Sequence, residues 1–354
     1  MGDSRDADES VALLEQVNRA LENATPLRIQ GANSKAFLGR MVAGEILDTR
    51  AHRGIVRYDP TELVITARCG TPLAELFAVL DASQQMLACE PPTFAHDATV
   101  GGMIASGLSG PRRPWSGSVR DFVLGTRIIT GHGKHLRFGG EVMKNVAGYD
   151  LSRLMTGSYG SLGVITEVSL KVLPKPRMSL SISQEMSSEQ ALLRLAEWGQ
   201  QPLPISAACH DGEQLHLRLE GGEGSVAAAH ERLGGALLDA AYWADLNEQR
   251  LDFFDEVQPL WRLSVPHNTP LQHLPGKQWL DWGGAQRWLK SDADAALIRK
   301  AVQQVGGHAT CYSHGVIDDP FQPLPPALLH YHRHLKRQLD PQGIFNPGRL
   351  YAEL

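Results

Sequence analysis

Apolar residues recur at three- and four-residue spacing over 8–22, at Val11, Leu14, Val17, Ala20 and Leu21, and the pattern stops before Thr25-Pro26. That spacing puts them on one stripe and predicts an amphipathic helix. The period then shortens. Leu27-Arg28-Ile29 reads as a strand running into the small residues Gly31-Ala32-Asn33-Ser34, and a second strand follows at 45–47. The β-branched run 63–67 lies between Pro60 and Gly70-Thr71-Pro72, and 72–83 then takes a helical period with proline at its first turn. Runs at 122–130 and 164–172 read as strands, and Leu173-Pro174-Lys175-Pro176 breaks the pattern. Beyond the break come a strand at 178–183, a helix at 189–199, a strand at 215–219, a helix at 225–233 and a stretch holding Trp261, Trp279, Trp282 and Trp288. This alternation predicts a small antiparallel sheet with helices on one face. A helix at 328–339 and a series of turns over 340–349 end the pattern.

The mixed order of helices and strands predicts an α+β protein. Its 354 residues exceed the roughly 250–300 that one core serves, so two domains are expected, divided near 176. With 42% hydrophobic and 21% charged residues, the composition excludes collagen, coiled coil and disorder. The net charge of -5, with Lys and Arg scattered, argues against a nucleic-acid partner. No stretch reaches the ~20 uninterrupted apolar residues of a membrane span; even 226–238 carries His230, Glu231 and Arg232. Asp3, Arg5, Asp6, Asp8 and Glu9 make the start of the chain polar where a secretory signal is apolar, so a cytoplasmic location is expected. Cys69, Cys89, Cys209 and Cys311 form no C-x-x-C pair, which predicts buried reduced thiols and no metal or iron–sulfur site.

Glycine then changes the picture, since 14 of the 63 residues over 101–163 are glycine against 35 in the whole chain. These positions sit among strand-like runs, unlike a Gly/Ser linker, so they belong to folded backbone that comes close to something. Three segments carry candidate chemistry. The turn Gly31-Ala32-Asn33-Ser34 can aim successive N–H groups at an anion, although an ordinary β-turn uses the same residues. It is not the Gly-x-Gly-x-x-Gly fingerprint, which requires a helix to start within the glycines. The second segment comprises Glu90-Pro91-Pro92, then Thr99-Val100-Gly101-Gly102-Met103-Ile104-Ala105-Ser106-Gly107, then Gly117-Ser118-Val119-Arg120-Asp121-Phe122-Val123-Leu124-Gly125. Small apolar backbone of this kind suits a large flat ligand with phosphates, and Arg120-Asp121 reads as a structural ion pair. The third is Gly157-Ser158-Tyr159-Gly160-Ser161-Leu162-Gly163-Val164-Ile165-Thr166-Glu167, a loop entering a strand.

Taken in order, these motifs, with Gly148-Tyr149-Asp150-Leu151 and Phe345-Asn346-Pro347-Gly348-Arg349, resemble the vanillyl-alcohol-oxidase-type (PCMH-type) FAD flavoproteins. Pro111-Arg112-Arg113-Pro114-Trp115-Ser116-Gly117 and Val142-Met143-Lys144-Asn145-Val146-Ala147 bring the likeness nearest to the E-subunit family of bacterial glycolate oxidases. The resemblance implies a two-subdomain PCMH-type FAD-binding domain over 1–176, a smaller α+β cap over 177–326, and a C-terminal helix and tail, 327–354, returning to the FAD domain. It implies FAD, with the pyrophosphate on the Gly31 and 101–107 loops and the isoalloxazine near Val164, Ile165 and Asn346. The residues it nominates for the cofactor are Gly31, Ala32, Asn33, Ser34, Pro91, Thr99, Gly101, Gly102, Ala105, Ser106, Gly107, Gly110, Ser118, Asp121, Gly163, Val164, Ile165 and Asn346.

Two departures refine the expectation. Where relatives carry a histidine that bonds the flavin, this chain has Asn33, whose amide is no nucleophile, so the FAD is expected to be non-covalent. Where hydroxy-acid oxidisers carry a His-Gly-Asp-Gly core, it has only His210-Asp211-Gly212, read as a surface turn. The implied role is a flavin subunit of a glycolate-oxidising complex with a larger FAD-linked subunit and an iron–sulfur subunit. Any contact with the inner membrane would be through those partners. The alternatives are a free-standing 2-hydroxy-acid oxidoreductase, for which Arg262 and Arg287 are the available carboxylate clamps, and a non-catalytic assembly subunit.

Overall fold

The structure is a computed structural model that describes residues 6–140 and 150–354. Val142 to Tyr149, which carry part of the resemblance, lie outside the described residues. The chain divides into two compact units. The first takes the residues up to Leu108, Ser118–Pro174 and Pro323–Leu354; the second takes Ser109–Gly117 and Lys175–Gln322. Ser109–Gly117, read from sequence as part of the first domain, therefore packs with the second.

In the first unit the helix Ser10–Glu22 buries Leu13, Val17 and Ala20, spaced four and three residues apart, while Val11, expected on the same stripe, is exposed. It covers the parallel pair Leu27–Gln30 and Glu45–Asp48, and Leu27, Leu47, Ile344 and Phe345 complete that small core. A five-stranded antiparallel sheet runs Ile55–Asp59, Val64–Arg68, Val164–Lys171, Val123–Ile129, His135–Gly139. Val164–Lys171 is central and buried on both faces, which explains its nearly continuous apolar run. The helices Leu73–Ala82 and Val100–Ser106 pack onto this sheet through Leu73, Leu76, Leu80, Met103 and Ile104. The helix Pro326–Leu339 adds Leu335 and Leu339 to the same core.

The second unit holds eight strands in one antiparallel sheet, larger than the few strands expected. Leu215, Leu217 and Leu219 face the helices Ser188–Trp198 and Glu223–Leu233, and Leu263 and Leu289 face Ala295–Gln304. The pairing His210↔Leu280 joins the two halves in one register, so all three helices lie on the same face. The opposite face carries Ser183, His216, Arg218, Trp279, Asp281, Gln286, Trp288 and Arg262. All four tryptophans over 261–288 are buried, which assigns them to packing rather than to a docking face. The segment Ser109–Gly117 is fastened here by Arg112, which pairs with the buried Glu220, and by Arg113, whose guanidinium lies 4.5 Å from the Trp282 ring centroid.

Candidate functional site

In the first unit a half-open cleft forms where the Gly31 turn meets the helix Val100–Ser106. Asn33 sits at φ 63°, a left-handed conformation that its short polar side chain tolerates. Among the described residues the N–H groups of Ala32, Asn33 and Ser34 donate to no protein acceptor. Gly31 is pressed against the helix start: a Cβ there would fall 2.4 Å from Thr99 Oγ1. That oxygen accepts the Gly102 N–H at 3.2 Å and caps the helix. The stretch read as a loop over 101–107 is thus a seven-residue helix whose small residues keep its cleft side thin.

The second and third glycine segments meet at the other end of this helix. Gly107 caps it at φ 65°, Gly157 N–H donates to Ile104 at 3.0 Å, and Tyr159 N–H donates to Ala105 at 2.8 Å. Of the nominated residues, Gly31, Ala32, Asn33, Ser34, Thr99, Gly102, Ala105, Ser106 and Asn346 line the cleft. The rest sit elsewhere. Gly101 faces Cys69, with a Cβ position 2.7 Å from the Cys69 Cβ, and Gly107 serves as the helix cap. Gly163 lies where a Cβ would meet the Ile129 carbonyl at 2.9 Å, and Val164 and Ile165 are core residues of the central strand. Pro91 is buried, and Gly110 belongs to the second unit. Ser118 and Asp121 form a capping box: the Asp121 carboxylate accepts from Ser118 N–H and Oγ–H, each at 2.8 Å, so a cap takes the place of the expected Arg120 pairing.

Arg28, Lys35, Tyr159 and Arg349, none of them nominated from the sequence as a cofactor residue, also line the cleft. The signal is present in a charge inside the short strand Leu27–Gln30, a lysine directly after Ser34, and the arginine closing the C-terminal motif. Lys35 Nζ donates to the Thr93 carbonyl at 3.1 Å and lies 5.6 Å from the Phe94 ring centroid. Three cations line the cleft and, among the described residues, no carboxylate does. Unsatisfied turn N–H groups, a glycine wall and this charge together fit a diphosphate with an extended planar group, which is the chemistry of FAD.

The second unit offers less. Arg287 is buried and donates to the carbonyls of Gly284 at 3.2 Å, Pro270 at 2.9 Å and Thr269, so it braces a loop and is not a carboxylate clamp. Arg262 is held by Gln286, which in turn donates to Asp281 at 2.8 Å. Burial pushes the Asp281 carboxyl up to about 6. His210, expected on a surface turn, is buried, its Nε2 2.8 Å from the Met186 carbonyl oxygen. Burial alone would raise Asp211, yet hydrogen bonds from His216 at 2.9 Å and from the Gln214 and Glu213 N–H groups hold it well below the usual carboxylate range. His216 Nδ1 lies 2.7 Å from Ser183 Oγ. These histidines are committed to hydrogen bonds within the fold.

Residues 7–139 match the FAD binding domain family. Over 350 residues, 99% of each chain, the protein is 63% identical to the glycolate oxidase subunit GlcE of Escherichia coli (strain K12). Over 122 residues it is 34% identical to the glycolate oxidase subunit GlcD of Bacillus subtilis (strain 168), a match covering 34% of this chain and 26% of that one. A solved structure of alkyldihydroxyacetonephosphate synthase superposes with a TM-score of 0.67 at 16% identity, covering 97% of this chain and 75% of the other; it is a likeness of fold.

Proposed function

The chain belongs to the glycolate oxidase subunit GlcE family, and from that premise we propose that it is the FAD-carrying partner subunit of a glycolate-oxidising complex. The observation that supports this most directly is the cleft, in which turn N–H groups and three cations face a glycine wall with no carboxylate among the described residues. The first unit is the FAD-binding domain and the second its cap. Bound there, FAD supplies two-electron redox chemistry. The chain's own residues would hold the diphosphate on the Gly31–Ser34 N–H groups and along the small residues Gly102 and Ala105, and balance its charge with Arg28, Lys35 and Arg349.

FAD is held without a covalent bond, because Asn33 offers no nucleophile at the turn. Acid precipitation should leave the yellow colour in the supernatant, and colour that stays with the pelleted chain would count against this reading.

The complex also contains a larger flavoprotein and an iron–sulfur subunit, and it works in the cytoplasm, reaching the membrane only through those partners. No helix among the described residues is long and apolar enough to cross a membrane. Oxidising a 2-hydroxy acid needs a positioned base and a cationic hold on the carboxylate. In the cap, Arg287, His210 and His216 are already engaged. The FAD-loaded chain alone should therefore leave its flavin oxidised when glycolate is added. Mixing it with the other two subunits should restore dye reduction, with the three co-eluting on a sizing column. Glycolate-dependent bleaching by the isolated chain would favour the free-standing enzyme instead.

A further inference from the structure

One wall of the cleft comes from the far end of the sequence. Asn346 uses its whole amide to build it: Oδ1 accepts the Ile29 N–H at 2.8 Å, and Nδ2 donates to the Tyr159 carbonyl at 2.7 Å. Asn346 thereby joins the strand that enters the Gly31 turn to the third glycine segment. Arg349 holds the other side. Its Nη1 donates to the Arg40 carbonyl at 2.8 Å and its Nη2 to that of Ala36 at 3.2 Å, while Arg40 N–H returns a bond to the Arg349 carbonyl at 2.9 Å. The chain just after Ser34 is therefore held in place by the tail.

The electrostatics give this arrangement a direction. Burial lowers the proton affinity of Arg349, and nearby Arg28 lowers it further against the opposing influence of Tyr159. Two guanidinium groups in one cleft repel, and an anion between them removes that repulsion. We infer that residues 346–349 form a latch for the cofactor: a diphosphate over the Gly31 turn and the docked tail stabilise each other, with Arg349 as the positioning residue that couples them. This rests on the reading of the cleft as the FAD site. A ligand that binds only the docked form shifts the balance toward it, so FAD should leave only after the tail has lifted.

Two measurements on the purified full chain test the latch. Trypsin cleavage after Arg349, followed by mass spectrometry, should slow at least about tenfold when FAD saturates the protein, as expected for a site cut only from an opened state. Arg349→Met should release FAD at least about tenfold faster, read from recovery of flavin fluorescence, while the melting temperature of its apo form stays near wild type. Arg349→Lys, which keeps the charge and loses the fork, should fall between. Equal cleavage with and without FAD would overturn the latch and leave the cofactor assignment standing; release from Arg349→Met within about twofold of wild type would overturn the latch and also remove Arg349 from the charge balance of the cleft. A wild-type chain that takes up no FAD would overturn both.

Discussion

Asp340→Ala is expected to lower the melting temperature of the first unit by roughly 10 °C. Lys336 is almost wholly buried, and its ammonium donates to Asp340 Oδ2, the Ser161 carbonyl and the Phe345 carbonyl, each at 2.7 Å. Burial lowers the proton affinity of that ammonium, and Asp340 works against the shift. Asp340 also accepts the N–H groups of Ile344 at 3.1 Å and Phe345 at 2.8 Å. Deleting it strands a buried cation and two backbone donors together, a loss of about 3–5 kcal/mol for breaking one side of a buried pair. In a unit of this size each kcal/mol moves the melting temperature by about 2–4 °C. Calorimetry of the apo protein measures this directly. A fall below about 3 °C would place the pair with exposed ion pairs, which contribute little.

Gly31→Val should weaken FAD binding at least about 100-fold, equivalent to roughly 3 kcal/mol. The backbone at Gly31 leaves no room for a side chain, since a Cβ would sit 2.4 Å from Thr99 Oγ1. Valine must displace Thr99, which removes the cap from the helix Val100–Ser106, and its methyls then fill the space over the turn N–H groups. Loss of the cap contributes only about 1 kcal/mol, so the chain should still fold. Gly102→Val separates the two effects, because a Cβ there meets only Thr99 Oγ1, at 3.3 Å. It should obstruct the cleft with little strain. Flavin fluorescence titration of each apo variant gives the affinities, and wild-type affinity in Gly31→Val would show that the cofactor does not rest on this turn.

The parts of this fold that are legible in the sequence are those carried by local periodicity. The helix Ser10–Glu22 and the small residues at Gly31–Ser34 show in the local pattern, whereas the buried stripe of that helix runs through Leu13 rather than the expected Val11 and Leu14, and the helix after Thr99 reads as a loop. What cannot be seen depends on pairing across long separations. Strands Leu260–Ser264 and His308–Cys311 pair only after the 43 residues of intervening chain over 265–307, and the single pair His210↔Leu280 that unites the sheet leaves no mark on either segment. Val164 and Ile165 show the same limit. Beside a glycine-rich loop, an apolar run gives no sign that it is the central strand of a sheet, because that position follows from pairings with Val64–Arg68 and Val123–Ile129, each far away in the sequence. Lys336 reads from sequence as a helix-end charge, because nothing local reveals that Ser161 and Phe345 close over it.

The short segment Ser109–Gly117 has a bearing on how the protein is made. Its Arg112 is the partner of Glu220, more than one hundred residues later, and Arg218 Nε lies 3.5 Å from the same carboxylate. The chain therefore passes between the two units four times, and the second unit cannot be excised as one continuous span: a fragment cut at Lys175 and Gln322 would keep Glu220 but lose Arg112. During synthesis the segment emerges early and must wait, undocked, until its sheet has been assembled. Contacts of such separation slow folding, and the waiting stretch exposes Pro111 and Arg112, both buried in the finished fold. Exchanging the second unit for that of a relative would thus take two grafts rather than one.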